Sequence, residues 1–400
     1  MSKKPKVGMW SGLTAVTAVL TAGAIVGTTV AFHYTTTVNN YLDADTYKII
    51  KGDSDEDTEY FKSDFTSDEE RESYEAELCA QVEAEGAALL KNDNNALPLA
   101  SGAKVSLFGH GSVDLMYGGT GSGSVDTSKA PNFKQALEDQ GIQVNSTLWD
   151  LYSSDDMMKN YSRITPAAIS DTLEANTQYA VNEAPWSKLS SAESSFADYG
   201  DAAVVVFSRS GGEGADLPSG ENGTNDSWIK GQEGDGNYLA LSAEEKELLQ
   251  NLKTLKDNGT FKKIIVLINS SNAIEMDFLN PEICGEDYGI DSAMWIGDVG
   301  QTGINGVAQL LAGEATPSGS LVDSNMANPA MYNFYTQAYP NAADYNLLTD
   351  GPDVQGMYSV YQEGVYLDYR YYETRYEDAV MGTGNAGDYN WSTTVAFPFG

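Results

Sequence analysis

Cysteine is scarce in this 400-residue chain: only Cys79 and Cys284 are present, too few for a disulfide scaffold or a four-cysteine zinc site. Histidine is equally scarce, with only His33 and His110. That argues against a His-rich metal site and against a Ser-His-Asp triad, and no cofactor or metal site is legible. Positive charge is short as well, with 23 Lys and Arg against 58 Asp and Glu, a net charge of −35. Nucleic acid is therefore excluded as a partner, because phosphate binding needs clustered Lys and Arg. Docking on anionic lipid through a basic face is excluded on the same ground. Apolar residues make up 41% and aromatics 10%, a globular rather than a disordered composition.

The N-terminus reads as an address. Lys3, Lys4 and Lys6 precede an uncharged run from Val7 to Phe32, long enough to cross a bilayer as a helix of about 20 residues. With the charges on its N-terminal side, a signal-anchor over 1–33 would keep the lysines in the cytoplasm and carry the remainder outside the cell membrane. A cleaved signal peptide is the alternative, and the rest is then secreted. An acidic linker follows over 34–66. Its Asp53, Asp55 and Asp57 have the spacing of a calcium loop, but Thr58 stands where such a loop needs Gly and no Glu follows at the required offset.

From Ser67 to Glu85 the pattern is helical, with Tyr74, Leu78 and Val82 recurring at fourfold spacing. Short apolar runs then read as buried parallel strands: 105–108, 142–144, 202–207, 264–268 and 293–296. Helical segments lie between them at 132–140, from Ser242, where Glu245 completes a capping box, and at 306–311. The alternation predicts an α/β fold with an open, mostly parallel sheet and helices on both faces. Function in such sheets gathers in the loops at the carboxyl ends of the strands.

Two Gly-rich loops fall there. Gly118 to Ser124 is not a dinucleotide fingerprint, because it lies well past the strand and no Gly stands at 124. A Walker Gly-Lys-Ser or Gly-Lys-Thr is absent too. A Gly-x-Ser-x-Gly elbow around Ser122 fails because Thr120 and Ser124 occupy its glycine positions. His110 reads as a packed loop residue. The second loop, Ser208 to Asp216, brackets Glu213 with Gly212 and Gly214 and lets a carboxyl project into a neighbouring cleft. That suits general acid/base work, although a solvated loop acid fits the spacing equally well.

Several segments, in order, resemble the α/β-sandwich domain of glycoside hydrolase family 3, the family of many bacterial β-glucosidases. They are Glu85 to Asn92 with Leu97-Pro98-Leu99, the loop Ser208 to Asp216, Gly234-Asp235, Leu239 to Ser242, and Ile264 to Asn269. Trp295 to Gly303 and Leu310 to Leu321 continue the match, and Glu363 to Tyr372 with Phe397-Pro398-Phe399-Gly400 resemble its lead-in to a fibronectin-like domain. The resemblance implies a sandwich domain over 67–340 and a connector over 341–400 that opens a β-rich, fibronectin type III-like region. It implies a retaining glycosidase acting on a β-glycoside or oligosaccharide, with Glu213 as general acid/base. Arg209, Asp216 and Asp235 would support the Glu213 loop, with surface ion pairing as the alternative for Arg209 and Asp216 and a plain turn for Asp235.

The family's nucleophile is an Asp on a (β/α)8 barrel, typically within Ser-Asp-Trp. That string is absent here; the nearest is Asn225-Asp226-Ser227-Trp228. The expectation is therefore the front portion of a module-swapped enzyme whose barrel lies outside these residues. A non-catalytic surface glycan-binding module is the alternative.

Overall fold

The computed structural model describes residues 7–35, 37, 39, 61, 63–164, 179–213, 238–326, 365–366, 368–384 and 387–400. It divides into two units, 1–64 and 65–400.

The first unit holds helix α1 (Val7–His33). Its Trp10–His33 stretch of 24 residues contains an 18-residue window with a mean hydropathy of 1.8 and is long and apolar enough to cross a membrane. The hydroxyls of Thr14, Thr17, Thr21 and Thr29 each donate to the carbonyl one turn back. Internal bonds of this kind let Thr sit in an apolar setting.

In the second unit, helix α2 (Asp68–Gly86) starts at the N-cap Ser67, whose side chain accepts from the Glu70 N–H. A six-stranded sheet follows: β1 (Ala88–Asn92), β2 (Lys104–Phe108), β3 (Gln143–Val144), β4 (Ala202–Arg209), β5 (Ile264–Ser270) and β6 (Ser292–Trp295). The spatial order is β1-β6-β5-β4-β2-β3. Every pairing is parallel except that of β1 with β6. The five expected strands are all present, and the edge strand β1 is additional. Its sequence, Ala-Leu-Leu-Lys-Asn, neither alternates cleanly nor forms a long apolar run. It also pairs through a register shift between Leu89 and Lys91.

The pleat sends alternate residues to opposite faces, so each central strand serves two cores. Val204 and Val206 of β4, with Ile265 and Leu267 of β5, pack under α2, α3 (Phe133–Asp139) and α7 (Ile304–Ala312). Ala203, Val205 and Phe207, with Val266 and Ile268, pack under α4 (Ser146–Tyr152), α5 (Asp155–Tyr161) and α6 (Ala243–Asp257). Both strands are buried along nearly their whole length, which explains their unbroken apolar runs, Ala202–Phe207 and Ile264–Ile268.

The fourfold apolar stripe on α2 does not face the core. Tyr74, Leu78 and Val82 are 53%, 43% and 62% exposed, whereas Ala80 and Ala84 are buried. Small residues win the buried face because α7 lies almost against the α2 backbone. A Cβ on Gly306 would stand 2.1 Å from the Ala80 carbonyl oxygen.

Beyond 341, the described residues form helix α8 (Tyr369–Met381) and the short strand β8 (Val395–Phe397), paired antiparallel with β7 (Asn325–Met326). The β-rich, fibronectin-like start expected there is not seen among them. Tyr372 of α8 is buried against Val395, with Tyr371, Tyr389 and Trp391 around it.

Two predictions concern the α2–α7 contact. Gly306→Ala should destabilise the unit by about 1–3 kcal/mol through overpacking. Ala at an exposed helix position would instead stabilise by up to about 1 kcal/mol. A thermal melt of the variant decides, and a raised Tm would mean the helices are not in this contact. Glu83, on α2, is pushed up from 4.5 to about 8 by burial and by the neighbouring Asp298 carboxylate. The folded state therefore holds this proton more tightly than the unfolded chain. Its contribution to stability is complete below about pH 4.5 and is lost as pH rises to about 8. Glu83→Gln should match the parent in Tm at pH 4.5 and exceed it at pH 8.5, as scanning calorimetry at the two pH values will show.

Candidate functional site

β2 and β4 are parallel neighbours, so the loops leaving their carboxyl ends emerge on one edge of the sheet. The two Gly-rich segments of the sequence are these loops, and they dock on each other. Thr120 forms a parallel bridge with Gly212, its N–H donating to the Gly211 carbonyl at 3.2 Å. Only glycine permits this approach. Gly212 has φ +144°, and a Cβ there would sit 2.4 Å from the Thr120 nitrogen; a Cβ on Gly121, at φ +69°, would sit 2.5 Å from Glu213 Oε2.

Glu213 is exposed at this junction. Its Oε2 accepts two bonds from one residue, the Ser122 N–H at 2.8 Å and the Ser122 hydroxyl at 2.7 Å. These donors hold the carboxyl below its ordinary range, against a smaller desolvation effect. The Thr120 hydroxyl donates to the Glu213 carbonyl at 2.9 Å. Its single proton being spent there, the 2.8 Å contact with Tyr179 has the tyrosine hydroxyl as donor.

Arg209 does not touch Glu213, and surface pairing does not describe it either, since the side chain is completely buried. Its guanidinium makes a fork-to-fork pair with Glu245, Nη1 to Oε1 at 2.8 Å and Nη2 to Oε2 at 2.7 Å. The remaining donors reach the carbonyls of Tyr238, Ala240 and Ser208. Tyr238 in turn donates its hydroxyl to the Ser210 carbonyl at 2.9 Å. Arg209 thus pins the end of β4 just before the loop, and it does so through the backbone. Asp216 and Asp235 lie outside the described residues, as do Asn225 to Trp228.

The other loop is anchored by Asn269, buried on β5. Its Oδ1 accepts from the Met116 N–H at 2.6 Å and the Ser208 hydroxyl at 3.0 Å, and its Nδ2 donates to the carbonyls of Met116 and Gly297 at 3.0 and 2.6 Å. This amide sets the path of the chain into Gly118–Ser124.

His110 is buried behind the edge. Its backbone N–H donates at 2.6 Å to Glu183, whose carboxyl burial pushes up to about 7. With Arg163, Ser208 and Glu245 it lines a cavity of about 20 Å³, room for about one water and not for a sugar. Among the described residues, no cluster of His, Cys, Asp and Glu is arranged to hold a metal ion.

Ser122, Thr120 and Tyr179 were not legible as site residues. The available signal was topological: a Gly-rich segment following the strand beside the one that carries Glu213.

The family model described as the glycosyl hydrolase family 3 C-terminal domain matches residues 87–369, more than half of the chain. The chain belongs to this family. It is 29% identical over 311 residues to a beta-glucosidase of Ruminococcus albus, covering 76% of this chain and 27% of that protein. With beta-glucosidase A of Butyrivibrio fibrisolvens the identity is also 29%, over 74% of this chain and 32% of the relative. The chain thus spans about a quarter to a third of the curated relatives it matches. Among solved structures, a beta-glucosidase from Paenibacillus barengoltzii superposes with a TM-score of 0.55 at 25% identity, over 81% of this chain and 29% of that one. Beta-glucosidase 3B from Thermotoga neapolitana, solved with glucose, shares the fold with a TM-score of 0.53 at 24% identity, over 82% and 38% of the two chains.

Removing the charge of Arg209 should leave Glu245 buried and unpaired. Arg209→Met is expected to cost about 3–5 kcal/mol in urea unfolding. A loss below about 1 kcal/mol would show that the pair is not closed in solution.

Proposed function

We propose that this glycosyl hydrolase family 3 domain supplies the acid/base half of a retaining glycoside hydrolase acting on terminal, non-reducing β-linked sugars, as a β-glucosidase does. Glu213 is the acid/base. The nucleophilic Asp belongs to a barrel module outside these 400 residues. Residues 1–33 act as a membrane anchor or a cleaved signal that exports the domain, 34–66 as an acidic spacer, 67–340 as the sandwich domain and 341–400 as the connector toward a further module.

The observation that carries this reading is the placement of Glu213. It is an exposed carboxyl at the carboxyl edge of the sheet, fixed by two docked glycine loops rather than left in solvent. The β-glucosidase relatives support the substrate class.

Retaining hydrolysis needs two carboxyl groups about 5–5.5 Å apart across the scissile bond. In the domain alone, Ser122 favours the ionised form of Glu213. A nucleophile carboxylate at that separation acts as a like charge and raises the affinity of Glu213 for its proton, which equips it to protonate the leaving oxygen. Once the nucleophile is glycosylated its charge is gone. The Ser122 donors then favour the carboxylate again, and Glu213 can take the proton of the attacking water.

The test is Glu213→Gln in the enzyme that carries the domain. Turnover of cellobiose, with its poor leaving group, should fall about 100- to 10,000-fold. Activated aryl glycosides should suffer less in the glycosylation step, and azide should restore their turnover by replacing the water that needs a base. Unchanged cellobiose turnover would sink the assignment.

A further inference from the structure

The two oxygens of the Glu213 carboxyl are not equivalent. Oε2 receives both Ser122 donors, while Oε1 takes no hydrogen bond among the described residues. The clamp comes from a neighbouring strand's loop, 91 positions away in sequence, and not from the turn on which Glu213 itself sits. Its geometry is protected on both sides by glycine. A side chain on Gly121 would strike the Glu213 carboxyl, and one on Gly212 would push the Thr120 backbone away.

We propose that Ser122 is a positioning residue for Glu213. It grips Oε2, leaves Oε1 as the oxygen that carries the proton to and from the sugar, and favours the carboxylate that the water-activating half of the cycle requires. The proposal rests on the acid/base reading of Glu213 and adds to it the residue that divides the carboxyl into a held oxygen and a working one.

The chemistry follows from the donors. A hydroxyl and a backbone N–H aimed at one oxygen stabilise the ionised form and lose part of that interaction when the carboxyl is protonated. The proton therefore enters on the ungripped oxygen, because protonating Oε2 would set its O–H against the Ser122 N–H and force the Ser122 hydroxyl to turn from donor to acceptor. In the first half-reaction the O–H bond of Glu213 breaks and the glycosidic oxygen gains the proton as its bond to the anomeric carbon opens and the nucleophile's carboxylate oxygen bonds to that carbon. In the second, water loses a proton to Oε1 as its oxygen attacks the anomeric carbon and the bond to the nucleophile breaks. Ser122 keeps its own proton throughout. Thr120 has a different task, since its hydroxyl holds the Glu213 carbonyl and not the carboxyl.

Carbon-detected NMR of the full chain, with 13C-labelled glutamate carboxyls and Glu213→Gln to assign the signal, reads this directly. In the parent protein Glu213 should titrate below the ordinary glutamate range. Ser122→Ala, which retains the N–H but removes the hydroxyl, should raise its midpoint by roughly half a unit to one unit. Ser122→Thr should restore the parent value, and Thr120→Ala should move it less than Ser122→Ala does. An unchanged midpoint in Ser122→Ala overturns the proposal. So does an equal rise in Ser122→Thr, or a rise in Thr120→Ala as large as in Ser122→Ala, because loosening of the loop would then be the cause. The titration needs no turnover, so it can succeed where the cellobiose test of Glu213 fails, and fail where that test succeeds.

Discussion

A guanidinium with no exposed surface is tolerable only if each of its N–H groups finds an acceptor and its charge finds a partner. Arg209 meets that condition with one carboxylate and three backbone carbonyls. The same carboxylate, Glu245, closes the capping box of α6 by accepting from the Ser242 N–H at 2.8 Å. One ion pair thus ties the end of the central strand to the start of the helix that covers it and to residues 238–240. Everything that follows β4, including Glu213, leaves from this fixed point. A buried pair of this kind adds little net stability over an apolar substitute. What it contributes here is position, because the fork geometry admits one arrangement of strand end and helix start.

The second constraint is close approach of backbones. The loops after β2 and β4 meet at Thr120 and Gly212, and helix α7 meets α2 at Gly306. In both places a single methyl group would have to occupy space already taken by a main-chain atom. Glycine serves the Glu213 edge and the distal helix contact for the same steric reason, although only the loop glycines also have positive φ. The result at the edge is a carboxyl held by donors from a second loop, in a defined orientation and without being enclosed.

Much of the fold was legible. β4 and β5 announce themselves as unbroken apolar runs because both their faces are covered, and Ser242 with Glu245 marks the start of α6 because the two residues satisfy each other locally. β1 was not legible. It is an antiparallel edge strand whose pairing depends on β6, two hundred residues later in the chain. The Tyr74, Leu78, Val82 stripe marked the helix but not its buried face: periodicity does not say which neighbour comes so near that only Ala80 and Ala84 fit. At the site, Glu213 stood out through its flanking glycines. Ser122 did not, because its meaning comes from a loop that approaches it across the sheet.

The sequence by itself determined the class of the protein. Its acidity, the scarcity of cysteine and histidine, the apolar N-terminal run, the strand–helix alternation and the ordered family motifs are local or compositional properties, and each acts through a few neighbouring residues. Only the tertiary structure decided that Arg209 is an internal anchor and not a partner of Glu213, and that the loop carrying Ser122 grips the Glu213 carboxyl. Both depend on residues distant in the chain meeting at one edge of the sheet. The register of parallel strands and the room left by glycine settle those meetings, and neither quantity is written in any single stretch of sequence.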